Sequence, residues 1–67
     1  MMNIVVNGER RDVPEDTTLA ELIAALKIEE KVMAAAVNME IVKKERWGTH
    51  RLKEDDRVEL LHFVGGG

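Results

Sequence analysis

The sequence predicts an α+β fold in two layers, with one main helix packed on one face of a sheet of four to five strands. Three observations carry the prediction. An Asn7-Gly8 pair follows a β-branched run. A capped helix with one apolar face comes next. Two further apolar runs, at 32–37 and 57–64, then close the chain. A helix with a single apolar stripe and a sheet with an apolar face bury both by packing together.

Each element has its own signal. Residues 2–6 form a short run rich in Ile and Val, and Asn7-Gly8 suits a type I′ hairpin, whose two central residues need positive φ. Residues 9–13 return as a polar strand, an edge blunted by Glu9, Arg10 and Arg11. Pro14 stops it. Thr18-Leu19-Ala20-Glu21 is a capping box, in which hydroxyl and carboxylate each take up a free N–H at a helix start. Leu19, Leu22, Ile23 and Leu26 share one helical face, so the helix is placed at 19–27, with Lys27 at its carbonyl end. No Gly marks that end.

Residues 32–37 are apolar throughout and fit strand or helix by periodicity alone. The shortness of the run and the Asn38-Met39 pair after it favour a strand turning into Ile41-Val42. Met39 suits positive φ poorly, so a longer turn is open there. Residues 43–46 form a charged connector of about one helical turn. Trp47, one of two aromatics, reads as a lid on the core edge rather than a ligand platform. Residues 53–56 read as a solvated acidic turn. In the last strand, Val58, Leu60, His62 and Val64 share one face, and Arg57, Glu59, Leu61 and Phe63 the other. With Val58 and Leu60 in the core, Leu61 and Phe63 face outwards as an apolar pair suited to docking.

The totals bound the function. A chain of 67 residues is one small domain, near the size at which a core alone sustains folding. It has no Cys, and two histidines do not make a structural zinc site without sulfur ligands. A net charge of −3 argues against nucleic acid as a partner. No run approaches the roughly 20 apolar residues of a membrane helix. Met1-Met2-Asn3 does not open a signal peptide, so no membrane and a cytoplasmic address are the expectations.

The chain closes on Val64-Gly65-Gly66-Gly67. Three terminal glycines arise by chance in about one chain in 3000. They are thin and conformationally free, and extended they reach roughly 10 Å, enough to carry a carboxylate into another protein's active site. A frayed or appended end is the plainer alternative. The division expected is a body at 1–64 and a flexible tail at 65–67.

Over its whole length the chain resembles the ThiS family, ubiquitin-like sulfur carriers of thiamine biosynthesis. The resemblance rests on the opening hairpin, the Thr18-capped helix, Ala36-Val37-Asn38-Met39-Glu40-Ile41-Val42, Glu45-Arg46-Trp47, and Asp56-Arg57-Val58-Glu59-Leu60-Leu61 running into Gly66-Gly67. It departs where the family often has Gly after the hairpin Asn and Gly-Asp before the last strand; Met39 and Asp55-Asp56 stand there. The resemblance implies a β-grasp fold, with a mixed sheet and the first and last strands parallel at its centre. It implies that an adenylating activating enzyme (ThiF-like) uses ATP to turn the Gly67 carboxylate into an acyl-adenylate. A sulfur donor then displaces AMP, and the thiocarboxylate delivers sulfur to thiazole synthase (ThiG-like). The carrier itself would bind no cofactor or metal and would be a co-substrate, not an enzyme.

Gly67 is then the reacting residue and Gly66 the bend beside it, while Leu61, Phe63, Val64 and Gly65 meet the partner. Glu54, Asp55, Asp56 and Glu59 read as solvated surface able to steer an encounter. His62 reads as a strand residue near the tail, and Lys43-Lys44 as soluble surface. Three alternatives share the fold. A molybdopterin synthase small subunit has the same tail, usually on a longer chain. A ubiquitin-like modifier would leave covalent adducts on target lysines. A β-grasp binding module would work without Gly66-Gly67.

Overall fold

The hydrogen-bonding demands of the backbone are met in a five-stranded sheet that wraps one helix, and the computed structural model describes residues 1–63 of it. Strand β1, Met2–Val6, pairs antiparallel with β2, Glu9–Val13, closing on Val6 opposite Glu9. Asn7 and Gly8 stand at φ 49° and 86°, as the two-residue turn requires. Alternation on β1 sends Met2, Ile4 and Val6 into the core. Arg10, Arg11 and Asp12 of the outer strand stay exposed.

Helix α1, Leu19–Ala25, begins as the capping box predicts. The Thr18 hydroxyl oxygen accepts the Glu21 N–H at 3.1 Å, and the Glu21 carboxylate accepts the Thr18 N–H at 2.9 Å. The Leu19 and Ala20 N–H groups donate to the carbonyls of His50 and Trp47, at 2.9 and 3.0 Å. The connector after β3 and β4 is thereby fastened to the helix start, where backbone donors otherwise lack partners. Leu19, Leu22 and Ile23 are buried against the sheet.

The helix ends earlier than the expected residue 27. Leu26 is its cap, and Lys27 lies at φ 61°, outside the helix. The Lys27 N–H donates to Ala24 O at 3.0 Å and the Ile28 N–H to Ile23 O at 3.5 Å, which is a Schellman closure made without glycine. A left-handed lysine costs about 1–2 kcal/mol. Ile28, packed against the core immediately after it, supplies apolar burial that offsets this cost.

Strands β3, Val32–Val37, and β4, Glu40–Ile41, form a second hairpin. The longer turn left open at Met39 is not used. Asn38 and Met39 sit at φ 51° and 70° in a two-residue turn, and Met39 projects into solvent, where no packing resists the strain. The connector holds a 3-10 turn at Lys44–Arg46 and ends on Trp47, which is buried and donates its Nε1–H to Val42 O at 2.9 Å. Trp47 thus closes the edge of the core as a lid.

The last strand, β5, Arg57–His62, lies in the middle, and the sheet order is β2-β1-β5-β3-β4. It runs parallel to β1, with Val5 opposite Arg57 and Val6 opposite Val58. It runs antiparallel to β3 from Val37–Val58 to Val32–His62, with an irregularity at Met33. Parallel first and last strands at the centre of a mixed sheet are the β-grasp arrangement implied by the family resemblance. The deepest side chains, Ile4, Leu19, Leu22, Ile23 and Val58, join β1, α1 and β5 into one core. No helix among the described residues is long and apolar enough to cross a membrane.

Candidate functional site

The candidate site is the end of β5 and the surface around it. Alternation along the strand divides the residues as expected. Val58 and Leu60 are buried beneath the helix, and Arg57, Glu59 and Leu61 are exposed on the opposite face. Leu61 and Phe63 keep 61% and 65% of their surface exposed, large values for apolar side chains in so small a molecule. Leu61 pairs with Ala34, Glu59 with Ala36, and Ala36 with Ile41 on its other side. Small alanines between larger neighbours leave an open hollow of about 330 Å³ on the helix-free face, lined by Ala34, Ala36, Ile41, Glu59 and Leu61. The Phe63 N–H donates to Lys31 O at 3.1 Å, which holds the chain to the β3 side just beyond the strand. Val64, Gly65, Gly66 and Gly67, the remaining residues of the expected site, lie outside the described residues.

His62 is half-buried, and its Nδ1 lies 3.1 Å from the Phe63 carbonyl oxygen, a geometry that suits a donating Nδ1–H. The carboxylates before β5 do not form a group. Glu54 accepts the Asn3 N–H at 3.1 Å, and Asp55 lies 3.7 Å from Arg10 at the surface. Glu59 stands on the outer face of the strand. No three acidic or histidine side chains converge as metal ligands would among the described residues.

Asp56 corrects the reading of residues 53–56 as wholly solvated. It is only 8% exposed and accepts two hydrogen bonds, from the Lys53 N–H at 2.8 Å and from Asn38 Nδ2 at 2.9 Å. The Asn38 side chain in turn accepts the Arg57 N–H at 2.9 Å, and its backbone N–H donates to Arg57 O at 2.8 Å. Asn7 grips the same strand farther along, its Oδ1 accepting the Leu60 N–H at 2.8 Å and its Nδ2 donating to Leu60 O at 3.3 Å. In the sequence both asparagines signal turns and nothing more. Their side-chain work was hidden because each partner is some twenty to fifty residues away in sequence. The available hint was that an Asn, and not a Gly, occupies the first position of both turns.

What this arrangement offers chemically is a central strand, hydrogen-bonded on both flanks, whose last described residues carry exposed apolar side chains. Known proteins resemble the chain in sequence and fold. A model of the ThiS family matches residues 4–67. The sulfur carrier protein ThiS of Bacillus subtilis is 38% identical over 63 residues, 92% of this chain and 96% of that one. A thiazole synthase of Magnetococcus marinus is 36% identical over 66 residues, 98% of this chain, but the chain spans only 20% of its length. The crystal structure of the thiamine biosynthesis protein ThiS from Geobacter metallireducens superposes with a TM-score of 0.81 at 37% identity, covering 98% of this chain and all of that one. In sequence and in fold, the chain belongs to the ThiS family.

Proposed function

We propose that the protein is a sulfur carrier for the thiazole part of thiamine. An adenylating enzyme would use ATP to join AMP to the Gly67 carboxylate and release pyrophosphate. Sulfur at the sulfide level, as hydrosulfide, would then attack the acyl carbon, AMP would leave with the bonding pair, and loss of a proton would leave Gly67 as a thiocarboxylate. The activation is needed because a free carboxylate would have to expel oxide. Glycine at 67 leaves the attacked carbon uncrowded, and Gly66 lets the chain bend in a narrow channel. In this reading residues 1–64 are the body and 65–67 the tail. The carrier is a co-substrate rather than an enzyme and binds no cofactor of its own. ATP supply makes the cytoplasm its working address.

The observation that carries the proposal is the nearly end-to-end likeness to a relative named as a sulfur carrier. Thiazole synthase as the receiving enzyme is supported by the Magnetococcus marinus chain, which holds a thiazole synthase and a segment like this protein in one polypeptide. Leu61 and Phe63, with Val64 and Gly65 after them, would meet the activating enzyme, since exposed apolar side chains beside a reacting end are natural anchors.

Incubation with ATP, a cognate activating enzyme and a sulfur source should exchange one oxygen of the terminal carboxylate for sulfur. Intact-mass and fragment-ion spectra should map the exchange to Gly67. An unchanged mass, with the same enzyme active on another carrier, would remove the proposal.

A further inference from the structure

The Asn7 side chain does something its turn does not require. β1 and β5 are parallel, and their ladder climbs in steps, from the Val5 N–H to Asp56 O and from the Asn7 N–H to Val58 O, each at 2.9 Å. The next rung on this flank of β5 belongs to Leu60. By that point the main chain of β1 has turned away, through positive φ at Asn7 and Gly8, towards β2. The Asn7 carboxamide takes the place of the missing peptide. Its oxygen accepts the Leu60 N–H at 2.8 Å, and its nitrogen donates to the Leu60 carbonyl at 3.3 Å. A carboxamide carries the acceptor and donor of a peptide group, so it adds one more peptide to β1. The reverse orientation would set N–H against N–H and oxygen against oxygen.

The turn alone does not call for this residue. Glycine and aspartate also occupy the first position of type I′ turns, and neither offers both an acceptor and a donor. Opposite Asn7, β5 is held by β3 through the Val32–His62 pair and by Phe63 to Lys31 O. Without Asn7, the strand beyond Val58 would be held from one side only.

We propose that Asn7 is a positioning residue for the carrier end. Acting through Leu60, it fixes the direction in which Leu61 to Phe63 are presented to a partner. The functional half of this inference rests on the sulfur-carrier reading; the mechanical half does not.

Asn7→Gly keeps a turn-competent residue and removes the clamp. In the full chain, hydrogen exchange of the Leu60 amide, followed by NMR, should accelerate about fivefold, the factor to which loss of roughly 1 kcal/mol of local hydrogen bonding converts. Val58 should keep its protection relative to global stability. In the activation assay, KM for the carrier should rise about three- to tenfold while kcat stays within about twofold, because the enzyme must then order the loosened strand itself. With carrier concentration counted as folded protein, from the folded fraction measured by NMR, a purely structural residue would lower stability without moving KM. Asn7→Asp, which keeps the acceptor but sets an oxygen against Leu60 O, should shift both readouts the same way and serves if the glycine variant fails to fold. Unchanged Leu60 exchange would overturn the clamp. Faster exchange with unchanged KM would overturn the positioning role. If the parent chain is never thiolated, the sulfur-carrier reading falls, and the exchange result decides the clamp alone.

Discussion

At the scale of single residues, the contact that matters most is one a charge count conceals. Asp56 lies under the start of β5 with both carboxylate oxygens occupied, one by the Lys53 N–H and one by Asn38 Nδ2. It ties the turn between β3 and β4 to the loop that feeds the central strand. Replacing it with alanine removes the acceptor for two donors at a part-buried site. Asp56→Ala should therefore cost about 1–3 kcal/mol, read as a lower urea midpoint with an unchanged slope. In a domain of this size each kcal/mol is worth about 4–8 °C of Tm. The substitution should leave Gly67 chemically competent in whatever fraction remains folded.

At the scale of elements, β5 faces two ways, and the two faces should answer differently to the same substitution. Leu60→Asp would bury a charge without a partner and unfold the domain. Leu61→Asp or Phe63→Asp should shift stability by only about 0.5 kcal/mol, because both side chains are exposed. If they are anchors, binding to the activating enzyme should weaken by more than about 1 kcal/mol. Circular dichroism and a binding titration on the three variants separate these outcomes. The faces of β5 were legible in the sequence because alternation is a local property, as were the capping box and the Asn7-Gly8 turn. The end of α1 was less so. A lysine in left-handed geometry carries no local signal, and the turn is held by Ile28 packing on a core that sequence alone does not display. The site divided similarly. Leu61 and Phe63 could be read from pattern, whereas the grips of Asn7 and Asn38 on β5 depend on which strands become neighbours. That arrangement came from the family resemblance, not from spacing.

For the whole molecule, body and tail should be separable in function. Deleting Gly66 and Gly67 should move stability by no more than about 0.5 kcal/mol, the usual range for surface changes, and abolish thiocarboxylate formation. Thermal melting and intact-mass spectrometry of the shortened chain test both halves. A shortened chain that no longer folds would make the tail part of the body. The place of β5 also has a consequence in time. It follows the other four described strands in the chain, yet it separates β1 from β3, so the two hairpins share no ladder until it arrives. An isolated two-stranded hairpin is marginal in water, and the first hairpin, the helix and the second hairpin together still lack the strand that joins them. A fragment that ends before residue 57 should therefore be an unfinished sheet, which limited proteolysis of residues 1–56 beside the full chain would check. Folding should thus wait for the strand that leads to the proposed reacting residue, Gly67.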